Sequence, residues 1–163
     1  MNTYRKTSGS IFLAMAVLAL ALGGYVNAQA ADLQIAPDQA AITPALLKAP
    51  IVFKGSGFTP KEIIVVEMVI PKGVQVKGVQ EGENVGLANG NADEAGKFET
   101  KMGAMATLNT LFQVGWTPLI KPDFSKASPL PPGQYEILAT GVESDSVGKA
   151  MLTILPPPPP EKK

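Results

Sequence analysis

From residue 50 onward the apolar positions recur mainly at every second residue, the period of half-buried β-strands. The longest such stretch covers residues 61–70, with Ile64, Val66, Met68 and Ile70 on one face and Ile63, Val65, Glu67 and Val69 on the other. Glu67 marks the second face as the outer one. Residues 50–55 place Ile51 and Phe53 together, and Gly55-Ser56-Gly57 then supplies a tight turn, after which Phe58 caps that end of the core. Residues 133–141 align Tyr135, Ile137 and Ala139, with Leu138 on the opposite side, and residues 149–155 align Ala150, Leu152 and Ile154. Residues 85–88 and 97–102 are extended runs separated by the turn formers of residues 89–96, which is the signal of a hairpin. About six short strands, none able to bury a face alone, predict two stacked sheets.

Two stretches interrupt this pattern. Residues 71–84 are glycine-rich and polar apart from Val74, Val76 and Val79, and read as a long loop or an extra edge hairpin. In residues 103–132, Met105, Leu108, Leu111 and Phe112 stand at helical spacing, while Pro118, Pro122, Pro129, Pro131 and Pro132 forbid a long helix. A short helix followed by an irregular excursion is expected there. Long structured loops of this kind often carry binding.

At the N-terminus the pattern changes altogether. Residues 11–22 are an unbroken apolar run preceded by Arg5 and Lys6 and followed by the small residues Ala28 and Ala30, the layout of a secretory signal peptide. The run is shorter than the roughly 20 residues of a membrane-spanning anchor, so no integral anchor is expected after cleavage. The domain plan is then a signal peptide over residues 1–30, one β-sandwich domain over residues 31–155 and a proline-rich tail over residues 156–163. The protein is expected in the periplasm or outside the cell.

Composition narrows the chemistry. The chain has no cysteine and no histidine, which removes disulfides, thiolate and imidazole metal sites, lipidation at a cysteine, and the nucleophile–histidine constellations of acyl transfer. Paired carboxylates remain formally available for glycoside hydrolysis. Loss of Arg5 and Lys6 with the signal leaves a slight acidic excess, so no electrostatic footprint for nucleic acid or an anionic membrane is expected. No catalytic residue, cofactor or metal is assigned.

Gly55-Ser56-Gly57-Phe58-Thr59-Pro60 after a strand, Asp93-Glu94-Ala95-Gly96-Lys97-Phe98 in a turn, and Pro131-Pro132-Gly133-Gln134-Tyr135 opening a strand that ends Ala139-Thr140-Gly141 together resemble an exported bacterial immunoglobulin-like domain of the IPT/TIG kind. The resemblance covers roughly residues 40–155 and rests on turn chemistry. It implies an all-β, immunoglobulin-like β-sandwich with a long irregular and short-helical insertion, in which Tyr135 is placed to form a tyrosine corner with upstream backbone.

Candidate contacts follow from what this core leaves outside. Ile63, Val65 and Val69 form an apolar outer face that either residues 103–132 or a protein partner must cover. Trp116, the single tryptophan, either closes one end of the core or offers its ring to a glycan or a protein. Asn89, Asn91 and Asp93 have the spacing of calcium ligands, but Glu94 and Thr100 stand where that loop needs glycine and a bidentate glutamate, and turn chemistry explains the same residues. The C-terminal prolines should form an extended polyproline tail, a spacer or a ligand for an aromatic groove, with the solvated end favoured because no Pro-x-x-Pro plus arginine pattern points to a receptor. The expected role is a non-enzymatic module for protein interaction, adhesion or assembly at the cell surface, with a carbohydrate-binding or carbohydrate-active domain as the alternative.

Overall fold

The computed structural model describes residues 30–80 and 82–159, so the signal-peptide assignment and the last four residues of the tail lie outside the described residues. The fold is all-β with a short helical insertion. Its strands are β1 (Ala31–Ala36), β2 (Gln39–Ala41), β3 (Val52–Ser56), β4 (Ile63–Val69), β5 (Asn84–Asn91), β6 (Phe98–Lys101), β7 (Gly115–Trp116), β8 (Pro122–Asp123), β9 (Gly133–Gly141) and β10 (Val147–Leu155). Among the described residues no helix is long and apolar enough to cross a membrane.

The two-residue period holds where it was strongest. Ile64, Val66 and Met68 of β4, Tyr135, Ile137 and Ala139 of β9, and Leu152 and Ile154 of β10 are all buried in one core, joined by Leu33, Phe53, Leu87 and Phe98. Phe58 closes an end of that core, edge-on to Phe98 with ring centroids 5.3 Å apart. The Tyr135 hydroxyl donates to the Pro131 carbonyl at 2.8 Å, the tyrosine-corner bond. Burial raises the pKa of this phenol, which keeps it a donor.

The expectation of two separately stacked sheets is corrected. The main strands form one hydrogen-bonded path, β5-β4-β9-β10-β1-β3-β6, with β2 also pairing with β10. The joint is β1, parallel to β10 at Ala31 and Asp32 and antiparallel to β3 from Asp32 to Ala36. Gly148 permits this approach, because a Cβ there would stand 3.1 Å from the Asp32 carbonyl. The sheet therefore folds over onto itself, nearly closed, in a sandwich-like shape. Its two ends meet where the Thr100 hydroxyl donates to the Asn89 carbonyl at 2.7 Å and the Gly103 N–H to the Leu87 carbonyl at 3.2 Å.

The hairpin expected over residues 85–102 is corrected as well. β5 pairs with β4 and β6 with β3, at opposite ends of the strand order. The turn formers reverse the chain without choosing its partner. Asp93 Oδ1 accepts the Ala95 and Lys97 N–H groups, and Phe58 and Lys61 donate backbone bonds to Gly96 and Ala92, so the turn becomes an arch braced by the β3–β4 loop.

Residues 71–83 form a loop of three successive turns, closed by Val74 to Pro71, Val79 to Val76 and Glu83 to Gln80. Val76 is buried against the main core. Helix Ala104–Ala106 runs into a π-helical turn, Thr107–Leu111, whose Phe112 N–H reaches back to the Thr107 carbonyl at 3.0 Å. Leu111 enters the main core, while Leu108, Phe112 and Val114 form a satellite core with half-buried Ile42 and Ala127. Met105, expected on the same apolar stripe, is exposed, because the first helical turn overhangs the surface before the chain enters the interior at Thr107.

Removing the Tyr135 ring opens a core void, so Tyr135→Ala, like Phe58→Ala, should destabilise the domain by about 3–5 kcal/mol. Tyr135→Phe, which loses only the corner bond, should cost about 1 kcal/mol. Urea denaturation of the three variants checks both the magnitude and the separation.

Candidate functional site

The outward side chains of β4 line up with those of its neighbours by register. Val65 stands opposite Thr140 of β9 and Asn89 of β5, and Glu67 opposite Leu138. Beyond the end of β9, the Val142 N–H donates to the Ile63 carbonyl at 2.9 Å, which brings Val142 beside Ile63. These two residues are 55% and 51% exposed, so no described residue covers them. Val65, Val69 and Leu138 are half-buried, and Met151 of β10, opposite Glu136, is exposed. Asn89 and Asn91 border this apolar strip on one side, and the surface ion pair of Lys149 with Glu136 borders it on the other.

Residues 103–132 spend their apolar groups elsewhere. They fill the satellite core, and Gln113 fastens them to the loop of residues 71–83, its Oε1 accepting the Lys77 N–H at 2.8 Å. The Lys77 ammonium in turn donates to the carbonyls of Gln113 and Lys126, each at 3.1 Å.

Ile63, Val65 and Val69 thus share one strand face, but Trp116 does not join them. It lies in the separate two-stranded β7–β8 sheet opposite Pro122, 37% exposed, and its Nε1–H donates to Asn109 Oδ1 at 3.0 Å. It stands outside both apolar clusters and so does not close the main core. Asn89 and Asn91 are exposed on β5, whereas Asp93 is turned into its own loop, where the backbone N–H groups of Lys97 and Ala95 hold its pKa below the ordinary value.

Sequence reasoning passed over Glu62, a fully buried carboxylate. Its Oε1 accepts the Thr59 N–H at 2.6 Å and the Ser144 hydroxyl at 2.9 Å, and its Oε2 accepts the Glu143 and Ser144 N–H groups at 3.2 and 3.1 Å. Gly141 makes room for it, since a Cβ there would lie 2.5 Å from the carboxyl group. Desolvation pushes the Glu62 pKa up, but the hydrogen bonds from Thr59, Ser144 and Glu143 together outweigh it and leave the pKa lowered. Both oxygens are engaged and the group stays ionised, so Glu62 pins the β3–β4 loop to the β9–β10 turn and is not poised as a proton donor. The signal was faint: a glutamate beside Lys61 reads as surface, and its partners Glu143 and Ser144 are 81 and 82 residues away.

No protein-family model and no curated protein matches this chain.

Glu62→Gln replaces an acceptor by a donor inside a cage of donors and should destabilise the domain by on the order of 3 kcal/mol at neutral pH. Because the folded carboxylate is the more acidic form, its stabilisation is complete above the unfolded value, near 4.5, and is lost as pH falls through the folded value. Denaturation at a series of pH values should therefore show the gap between wild type and Glu62→Gln narrowing over that acidic range. A gap independent of pH would mean that the carboxylate charge plays no part.

Proposed function

We propose that this chain is an exported, non-enzymatic, immunoglobulin-like module of the IPT/TIG kind that serves protein interaction, adhesion or assembly in the periplasm or at the cell surface. The observation that carries this reading is the apolar pair Ile63 and Val142, exposed among the described residues and set in a β-sheet face beside Val65 and Leu138. Such a strip on a rigid sheet offers a partner area without any ordering of its own. The turn chemistry and the tyrosine corner support the family resemblance. The absence of histidine and cysteine from the sequence and the sequestration of Glu62 support a binding role over catalysis.

Export rests on the N-terminal sequence. Cleavage after Ala30 would leave β1, which begins at Ala31, whole. A carbohydrate-binding reading draws on Trp116, whose ring is partly exposed while its N–H is already bonded.

Ile63→Lys and Val65→Lys should leave folding within about 1 kcal/mol of wild type, as for other surface positions, and abolish capture of the envelope partner. Thermal unfolding and affinity capture from the exporting cell separate the two effects, and undiminished capture by both variants overturns the sheet-face reading. Saturable glycan binding on an array, lost in Trp116→Ala, would move the assignment to the carbohydrate reading.

Mass spectrometry of the exported protein should find its N-terminus at Ala31 or within a few residues. Intact Met1 in a membrane-held form would replace export by anchoring.

A further inference from the structure

We propose that the β7–β8 hairpin is a finger that inserts into a phospholipid surface, with Leu119 and Ile120 entering the acyl boundary, Trp116 and Phe124 at headgroup depth, and Lys121 at the phosphates. This goes beyond the sheet-face reading and uses different residues.

The tip is a braced turn. Thr117 N–H donates to the Lys121 carbonyl at 3.0 Å, Ile120 N–H to the Thr117 carbonyl at 2.9 Å, and Lys121 N–H to the Thr117 hydroxyl at 3.2 Å. Pro118, Leu119 and Ile120 are left as a three-residue loop. The last residue of such a loop adopts the left-handed conformation that glycine takes without strain. Here it is isoleucine, with φ 57°, a conformation that β-branched side chains rarely adopt. Leu119 and Ile120 are also the most exposed large hydrophobic residues among those described, at 77% and 81%. A strained aliphatic side chain held in water serves neither the core nor solubility. It is explained by a task outside the domain.

The base of the finger is rigid. Phe124 packs edge-on against Phe112 of the satellite core with centroids 5.7 Å apart, Lys77 ties Gln113 to Lys126, and Trp116 is fixed by Asn109. Two aliphatic side chains at the tip, aromatic rings below them and Lys121 alongside follow the layering of a membrane interface, where amphipathic rings occupy the headgroup level and lysines reach the phosphates. Asp123, the hairpin's acid, is turned inward by bonds from the Ser125 hydroxyl and N–H and by the Lys126 ammonium 3.5 Å away. Lys121 forms no ion pair among the described residues. A pocket on a protein would require an apolar tip, but neither the aromatic tier nor the cationic one. With only two aliphatic anchors the attachment is weak and reversible, driven by the tip rather than by the chain's net charge.

Trp116, the single tryptophan, reports directly on insertion. Mixed with phosphatidylcholine vesicles containing phosphatidylglycerol, the exported chain should co-sediment, and its tryptophan emission should shift to the blue and resist acrylamide quenching. Leu119→Asp and Ile120→Asp should each weaken partitioning about tenfold to a hundredfold without lowering the melting temperature. Ile120→Gly relieves the strained φ and should raise the melting temperature while still weakening partitioning. Lys121→Glu should weaken it on phosphatidylglycerol-containing vesicles more than on pure phosphatidylcholine. Ile63→Lys should leave vesicle binding unchanged, so failure of the sheet-face reading and failure of this one are distinguishable. The proposal is overturned by a wild-type chain that neither co-sediments nor changes its emission, by vesicle binding that survives Leu119→Asp and Ile120→Asp, or by shielding of Trp116 that only a protein partner produces.

Discussion

The pairing of β1 on both its edges is the constraint from which the rest of the architecture follows. One edge runs parallel to β10 and the other antiparallel to β3, so backbone hydrogen bonds carry the sheet from its β4–β9–β10 half into its β3–β6 half. Without β1 the two halves would be held mainly by apolar contact across the core. With it, β5 and β6 are the two ends of the main path, and the Thr100 and Gly103 bonds bring these ends together, which limits the unpaired edge available for aggregation. A chain without cysteine has no disulfide with which to fasten two layers. It fastens them instead by the β1 ladder at one margin and by the Thr100 and Gly103 bonds at the other.

What the sequence displays of this fold depends on how local each cause is. The faces of β4, β9 and β10 are written in alternating residues, and Phe58 and Tyr135 follow turn residues that aim them inward, so all are legible within about ten residues of chain. β1, by contrast, is Ala-Asp-Leu-Gln-Ile-Ala, with a single β-branched residue, and its importance comes from partners far along the chain. The same reason misleads at residues 85–102: turn formers announce a reversal, but whether the flanking strands pair is decided by which wall of the core Leu87 and Phe98 reach. Glu62 is the extreme case, since nothing near it distinguishes a caged carboxylate from a solvated one.

The surface features divide in the same manner. Ile63, Val65 and Val69 are readable because Glu67 declares their face to be the outer one, but Val142 joins that strip only through its backbone bond to Ile63, and Met151 approaches it only through strand register. Trp116 attracts notice as a lone aromatic, whereas Leu119 and Ile120 look like ordinary apolar residues after a proline until their exposure is known. The helical spacing of Met105 with Leu108 and Leu111 gives the helix correctly and the burial of its first turn wrongly, because the π-helical turn and the overhang are set by packing against Ile42 and Ala127.

Among the described residues every buried side-chain nitrogen and oxygen has a hydrogen-bond partner. The interior polar groups are therefore committed to structure: Glu62 to a loop and a turn, Gln113 and Lys77 to the base of the excursion, Tyr135 to its corner. Among the described residues, the groups that the fold does not need lie at the surface. The separation of the satellite core from the main one makes this possible. Leu111 and Leu130 hold the ends of the excursion in the main core while Leu108, Phe112 and Val114 pack its outer part, so a strained and exposed tip at residues 118–120 is carried at a distance from the sheet.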